Sequence, residues 1–311
     1  MDRRTFLATA AALTPTIREN PHVPLPFERR TGTRLILLGT AGGPRPHATR
    51  SAPSQAVIVN DAVYVVDCGN GVARQLVRSG VPLRAIQNVF VTHHHSDHNA
   101  DYGTLLLLAW ATGLAAPVHS WGPPPLQRIT ETFFTMSATD IDARMRDEGR
   151  PDLRPFVRAH ELHAGGRVLD DPNVKVTAAV VDHPPLTPAF AYRFDAADRS
   201  IVISGDTRPA DAVVALARGA DVLVHEAMMP SAVDRLVGNV PNASDLKRSI
   251  LSHHTAAEDA GRVAQAAGVA TLVLSHLVPA EDPSLPEEAW IEAASRHFNG
   301  RVILGRDLLD V

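Results

Sequence analysis

The chain has one cysteine, Cys68, only two lysines, Lys175 and Lys247, and few aromatic residues, 5% of its 311 positions. Each scarcity excludes something. A lone cysteine cannot close an intramolecular disulfide. Its place in Val65-Val66-Asp67-Cys68-Gly69, at the end of a strand-like run, reads as a small buried hydrophobe rather than a reactive thiol. The other basic residues are arginines, scattered apart from Arg29-Arg30, and the formal net charge is −4, so no global basic field draws nucleic acid. No apolar run nears the roughly 20 residues that span a bilayer. Leu105 to Trp110 is apolar but short, and reads as the inside of a buried helix. Low-complexity tracts are absent, and 45% hydrophobic residues over this length suffice for a substantial core.

Histidine, by contrast, is concentrated. The segment His93-His94-His95-Ser96-Asp97-His98 follows the apolar run Asn88 to Val91 and packs four potential metal ligands, His93, His95, Asp97 and His98, into six positions. Imidazole nitrogen and carboxylate oxygen are donors that zinc accepts, and no thiolate set for a structural zinc site exists in the chain. Three further islands end on the same residue types: Val180-Val181-Asp182-His183, Ile203-Ser204-Gly205-Asp206 and Leu272-Val273-Leu274-Ser275-His276. Each closes a β-type run, so each donor sits where a strand gives way to a loop, the usual place for chemistry on a rigid scaffold.

Along the chain, residues 1 to about 30 read as a leader and extended linker that ends in the proline-rich stretch Pro21 to Pro26, and residues 31–311 read as one domain. Arg3-Arg4-Thr5-Phe6-Leu7 before the small apolar run Ala8 to Leu13 resembles a twin-arginine export signal, which predicts a periplasmic or secreted protein; the alternative is an ordinary leader on a cytoplasmic one. Gln55 to Asn60 and Ala62 to Asp67 form a hairpin around Asn60-Asp61. Gly71 to Ser79 reads as a helix stopped by Gly80, and the charged segment Ser137 to Arg154 as a surface helical insertion near the site. Strands at Phe156 to Leu162, Val174 to Val181, Phe190 to Phe194 and Ile201 to Ser204 precede an alternation of helices and strands to Leu304. Strand-rich stretches interleaved with helices, without strict βαβ repetition, predict an α+β fold of mixed sheets covered by helices.

The spacing H-x-H-x-D-H and the order of the islands resemble the metallo-β-lactamase superfamily, over roughly residues 33 to 305. That resemblance implies a four-layer αββα sandwich with two zinc ions at one edge between the sheets. It implies His93, His95 and His183 for the first metal and Asp97, His98 and His276 for the second, with Asp206 bridging both and Asp97 also serving catalysis. Gly39-Thr40-Ala41-Gly42-Gly43, Asp67-Cys68-Gly69-Asn70-Gly71, Trp121-Gly122-Pro123-Pro124, Asp206-Thr207-Arg208-Pro209, His225-Glu226-Ala227 and His253-His254-Thr255 resemble landmarks of its ribonuclease Z and zinc-arylsulfatase branch.

Departures from ribonuclease Z are visible too. Asn70 stands where those proteins typically carry an acid, Leu277-Val278-Pro279 replaces a Ser-Arg-Tyr-like tail, and the stretch from His183 to Asp206 has no room for a projecting basic arm. The expected activity is therefore hydrolysis of a small anionic ester, an aryl sulfate or a phosphodiester, by a metal-bridging hydroxide. A ribonuclease Z-like RNA endonuclease and a β-lactamase or lactonase are the alternatives; a diiron oxidoreductase is the rival outside hydrolysis. Nucleic acid is disfavoured as a partner, no membrane is expected, and a homodimer is compatible with the chain. His253, at the family's His-x-Thr position, is the expected general acid with Glu226 orienting it; the bland reading is that His253 caps the helix starting near Ala256. His94 and His254 are expected to point away, His225 to hydrogen-bond behind the centre, and His47 to be within reach of substrate. His119, His160, His163 and His297 read as structural, and Tyr102, Trp110 and Trp121 as core.

Overall fold

The computed structural model describes residues 32–311 apart from Asn239 and Asn242. The expected leader, linker and export signal lie outside the described residues.

The chain begins a first sheet with β1 (Thr33–Gly39), β2 (Ser54–Val59), β3 (Ala62–Val66), β4 (Ile86–Phe90), β5 (Val118–Gly122) and β6 (Val157–Glu161). A second sheet takes β7 (Gly166–Asp170), β8 (Val174–His183), β9 (Leu186–Ala196), β10 (Ser200–Ile203), β11 (Val222–Met228), β12 (Thr271–Val278) and β13 (Arg301–Leu304), after which β14 (Leu309–Asp310) returns to the first. Their orders are β14-β1-β2-β3-β4-β5-β6 and β13-β12-β11-β10-β9-β8-β7. Between the strands run α1 (Val72–Arg78), α2 (Ser96–Asn99), α3 (Tyr102–Ala111), α4 (Leu126–Met136), α5 (Ala138–Glu148), α6 (Asp211–Leu216), α7 (Val233–Val237), α8 (Leu246–His253), α9 (Ala257–Ala267) and α10 (Glu287–Ser295).

Apolar residues on both faces of the central strands force the layering. In β3, Val63 and Val65 join a core with Leu76 of α1 and Leu105 and Leu106 of α3, while Ala62, Tyr64 and Val66 point the other way. In β12, Leu272 and Leu274 pack against Ala260 and Ala264 of α9 and Trp290 of α10, while Val273 points inward. The inward residues of both sheets share a third core with Phe90, Phe190, Tyr192 and Phe194. Period-two alternation in strands buried on both faces thus produces helix, sheet, sheet, helix. This is the αββα sandwich, and it is α+β as expected.

Local signals account for several boundaries. Asn60 and Asp61, the expected hairpin turn, both have positive φ, 48° and 70°, the geometry of a two-residue turn that suits right-twisted strands. The charged segment folds as α5, held by Arg144 to Asp140 and Glu148 on its solvated face, while Ile141 packs into the first outer core. Several elements were not expected, β7, α7 and α8 among them. Strand β7 is exposed or half-buried throughout, so it lacks an apolar pattern, and it is specified by antiparallel pairing with β8. Helix α8 covers a segment to which the sequence reading assigned no element, and joins α7 in a small core with Met228, Ile250 and Val278.

Candidate metal centre

The loop ends of β3, β4, β8, β10, β11 and β12 meet at one edge of the two sheets. His93 and His95 follow β4, His183 ends β8, and Asp206 follows β10. Gly205, just before Asp206, has φ +60°, and a Cβ there would lie 2.7 Å from Phe190 O, so only glycine turns the chain so tightly behind the carboxylate. On β12, Ser275 pairs with Glu226 and Leu277 with Ala227, which makes His276 the extra residue of a bulge. Its φ of +46° re-aims the imidazole towards the centre.

Two groups of donors result. His93, His95, His183 and Asp206 form one, and Asp97, His98, Asp206 and His276 the other; within each group the ligating atoms lie within 4.8 Å of one another. All seven residues expected from sequence come together here, and Asp206 belongs to both groups. His93 Nε2 and His183 Nε2 each lie 3.1 Å from His95 Nδ1. His98 Nε2 and Asp206 Oδ1 are 3.2 Å apart, yet both are buried without a hydrogen-bond partner among the described residues. Converging imidazole nitrogens and an orphaned carboxylate oxygen are costly by themselves and favourable around a cation, so the residues fit a bound metal.

The outer faces of these rings are tied down, which leaves the opposite nitrogens for the centre. His98 Nδ1 donates to Asp67 Oδ2 (2.7 Å) and His183 Nδ1 donates to the backbone carbonyl of His253 (3.2 Å). Thr92 donates its amide and hydroxyl to Asp67 and lies 3.0 Å from His93 Nδ1. Asp67 was not among the expected site residues. Its signal was the Asp67-Cys68-Gly69 landmark at the end of β3, and its positive φ of 61° turns the carboxylate back under His98.

Electrostatics divide the centre. Burial, helped by neighbouring imidazoles, lowers the pKa of His93, His95 and His183. Burial acts the same way on His98 and His276, but there Asp206, with Asp67 and Asp97 beside His98 and Asp97 beside His276, outweighs it. His98 is raised well above its ordinary value and His276 to about 10. Against the opposing effect of burial, His98 and His276 hold Asp97 down at about 2.

The expectation about the adjacent histidines is reversed. His253 is the last residue of α8, half-buried, and its Nδ1 faces Ser249 Oγ one turn back (3.2 Å). His254 leaves the helix in an extended conformation, stacks on His276 at 5.5 Å, and its Nδ1 donates to Glu226 Oε1 (3.0 Å). It is therefore His254, not His253, that Glu226 orients. Glu226 and His254 form a third possible donor group with His276. Alternation along β11 sends Glu226 inward, where it also accepts from the Thr207 amide (2.7 Å), and His225 outward, onto the backbone carbonyl of Glu226 (2.8 Å).

Other histidines take the following places. His94 turns away, with Nε2 donating to Pro123 O (2.8 Å). His119 and His160, read as structural, lie 2.9 Å apart, with Trp121, expected in the core, stacked 4.1 Å from His160 and only half-buried. His297 donates to Glu258 (2.9 Å). Tyr102 and Trp110 are core. His47 lines a cavity of about 340 Å³ beside Asp97, whose walls also carry Arg45, Arg50, Arg74 and Arg78. Arginines scattered in sequence are thus gathered in space, a local grouping that the composition neither called for nor excluded.

The family described as the beta-lactamase superfamily domain matches residues 63–277. Ribonuclease Z of Mycobacterium bovis (strain BCG / Pasteur 1173P2) is 35% identical over 277 residues, covering 88% of this chain and 96% of that one. Ribonuclease Z of Mycobacterium sp. (strain KMS) is 35% identical over 278 residues, covering 88% and 94%. Among solved structures, the short form of human tRNase Z superposes with a TM-score of 0.66 at 21% identity, over 89% of this chain and 98% of that one. A metallo-β-lactamase fold protein of Bacillus subtilis gives 0.66 at 20%, over 90% and 98%. These two structural likenesses concern the fold; the sequence matches carry further. The chain belongs to the metallo-β-lactamase superfamily, among the relatives of ribonuclease Z, and is a metal-dependent hydrolase.

Proposed function

We propose that this protein is a two-zinc phosphodiesterase that cleaves RNA, with His93, His95, His183 and Asp206 holding one ion and Asp97, His98, His276 and Asp206 the other. The observation that carries the reading is Asp206, common to both donor groups. One carboxylate shared by two groups supports a pair of ions close enough to act on a single phosphate. When bound, such ions supply Lewis acidity and an activated water. The protein's own residues do the rest. Asp67 fixes the ring of His98, and Glu226 holds Nδ1 of His254 and so leaves Nε2 of that imidazole to deliver a proton to the leaving oxygen. Burial opposes charge on His254, but Glu226 and Asp206 raise its pKa, which suits an acid.

RNA is preferred over the small ester because of the relatives. Proteins named ribonuclease Z align with this chain over 277 residues, 88% of it and 96% of their own length, and this outweighs the missing arm. None of the relatives described above bears an arylsulfatase name, so aryl sulfate has no support. The zinc-loaded protein should be assayed on a 3′-extended transfer RNA precursor, bis(p-nitrophenyl) phosphate, an aryl sulfate, a lactone and a β-lactam. Cleavage of both phosphodiesters is expected. Faster turnover of the sulfate, lactone or lactam than of either phosphodiester would refute the reading.

A further inference from the structure

We propose that the arginine-lined cavity beside Asp97 is a second phosphate subsite, which holds the backbone of an RNA strand next to the phosphate under attack. The proposal rests on the reading of the protein as an RNA phosphodiesterase. The cavity, about 340 Å³, is walled by residues 44–52 and by α1, and Ser96 and Asp97 join it to the metal centre. A strand whose reacting phosphate lies at the centre therefore has an adjoining space for its neighbour.

The charge of that space is not the charge of the chain. Against a net −4 overall, Arg45, Arg50, Arg74 and Arg78 line it, opposed by only two carboxylates. Both are committed. Asp97 belongs to the centre, and Asp307 accepts from Thr40, the Ser51 amide and Gln75. Asn70, on the rim where ribonuclease Z proteins typically carry an acid, adds no negative charge.

The arginines themselves divide. Arg50 is structural, its Nη1 donating to Thr40 Oγ1 (2.6 Å) and Gly305 O (2.8 Å). Arg45 and Arg74 have no ion-pair partner among the described residues, and Arg78 donates to the neutral amide of Gln75 (2.8 Å). Elsewhere Arg34, Arg144 and Arg262 face carboxylates, whereas Arg84, Arg128 and Arg158, like Arg45 and Arg74, show no ion pair among the described residues. Arg74 and Arg78 stand four residues apart on one face of α1, so they offer two guanidinium groups side by side, an arrangement suited to a chain of anions.

The wall carrying Arg45 is fixed in advance. The Gly43 amide donates to Asp97 Oδ2 (3.0 Å), and further along the Thr49 amide and hydroxyl donate to Glu281, with His47 Nδ1 3.3 Å from the same carboxylate. Glu281 follows Leu277-Val278-Pro279, the segment where this chain departs from the family's tail after the last histidine. A wall held at both ends loses little entropy on binding.

The test compares the zinc-loaded wild type with the double variant Arg74→Ala, Arg78→Ala, both side chains being exposed, with melting temperature checking that the fold is intact. For an oligoribonucleotide, KM should rise on the order of tenfold or more while kcat stays within about twofold. The slope of log(kcat/KM) against log salt should weaken by about 0.7, the value for the one single-strand phosphate that the variant no longer neutralises. Bis(p-nitrophenyl) phosphate, with no second phosphate, should be hydrolysed as before, and the lysine double variant should recover much of the RNA affinity. An unchanged KM and salt slope for RNA would overturn the subsite, as would equal losses on both substrates. If the wild type cut only the chromogenic diester, the RNA reading would fail by itself. The subsite would then be read from inhibition of that hydrolysis: an oligoribonucleotide Ki that rises in the double variant supports it, and an unchanged Ki overturns it. Inhibition by inorganic phosphate that shows the same dependence on Arg74 and Arg78, at similar concentration, would mean a site for free phosphate and would overturn the strand assignment.

Discussion

The two halves of the centre are built from similar donors and differ in their surroundings. His93, His95 and His183 sit among one another, with Asp206 as the one carboxylate of their donor group, and burial lowers their pKa. His98 and His276 sit among Asp67, Asp97 and Asp206, and hold protons well above the ordinary imidazole range. The same side chain is thus a ready ligand in one place and a protonated one a few ångströms away, because carboxylates outweigh burial in the second half only. Loading the second half is therefore expected to release more protons than loading the first.

Asp206→Ala should break the comparison outright, since both halves lose their common carboxylate. Hydrolysis should be abolished and metal content should fall at both positions; elemental analysis still giving about two metals per chain would refute the shared assignment. Next comes the histidine pair. His254→Ala should lower kcat by roughly 10² to 10⁴ for leaving groups that need a proton, with far less effect on a nitrophenolate. His253→Ala should do little, because it is the backbone carbonyl of His253 that reaches His183. Steady-state kinetics on the two substrates decides, and a larger loss in the His253 variant would restore that residue as the general acid.

Asp67→Asn sharpens the contrast more gently. It weakens the carboxylate behind His98, so metal affinity of the second half should fall about 10- to 100-fold, with the first half much less affected. Competition with a chromophoric chelator would separate the two, and equal weakening would show that Asp67 supports the whole centre. The smallest effect concerns protons. Metal titrated into stripped protein at neutral pH should release more protons at the second half than at the first, and second-half affinity should keep rising with pH towards the value of about 10 held by His276. Calorimetry in buffers of different ionisation heat measures this, and equal proton release from both halves would contradict the electrostatic division.

Much of this centre was legible in the chain. His93, His95, Asp97 and His98 are neighbours in sequence, and His183, Asp206 and His276 each close an apolar run, in the order that the resemblance to the metallo-β-lactamase superfamily implies. The layering was legible for the same reason, since strands apolar on both faces must be covered twice. Three features depended on the folded chain. Where α8 stops decides which of two adjacent histidines turns inward, and the segment showed no helical pattern strong enough to fix that end. Asp67 acts through His98, 31 residues away, by a backbone turn at positive φ that strand periodicity does not reveal. Arg45, Arg74 and Arg78 look scattered because charge in a sequence is counted along the chain, whereas a field is summed through space. Only the packing of α1 beside the loop after β1 brings them to one cavity next to Asp97.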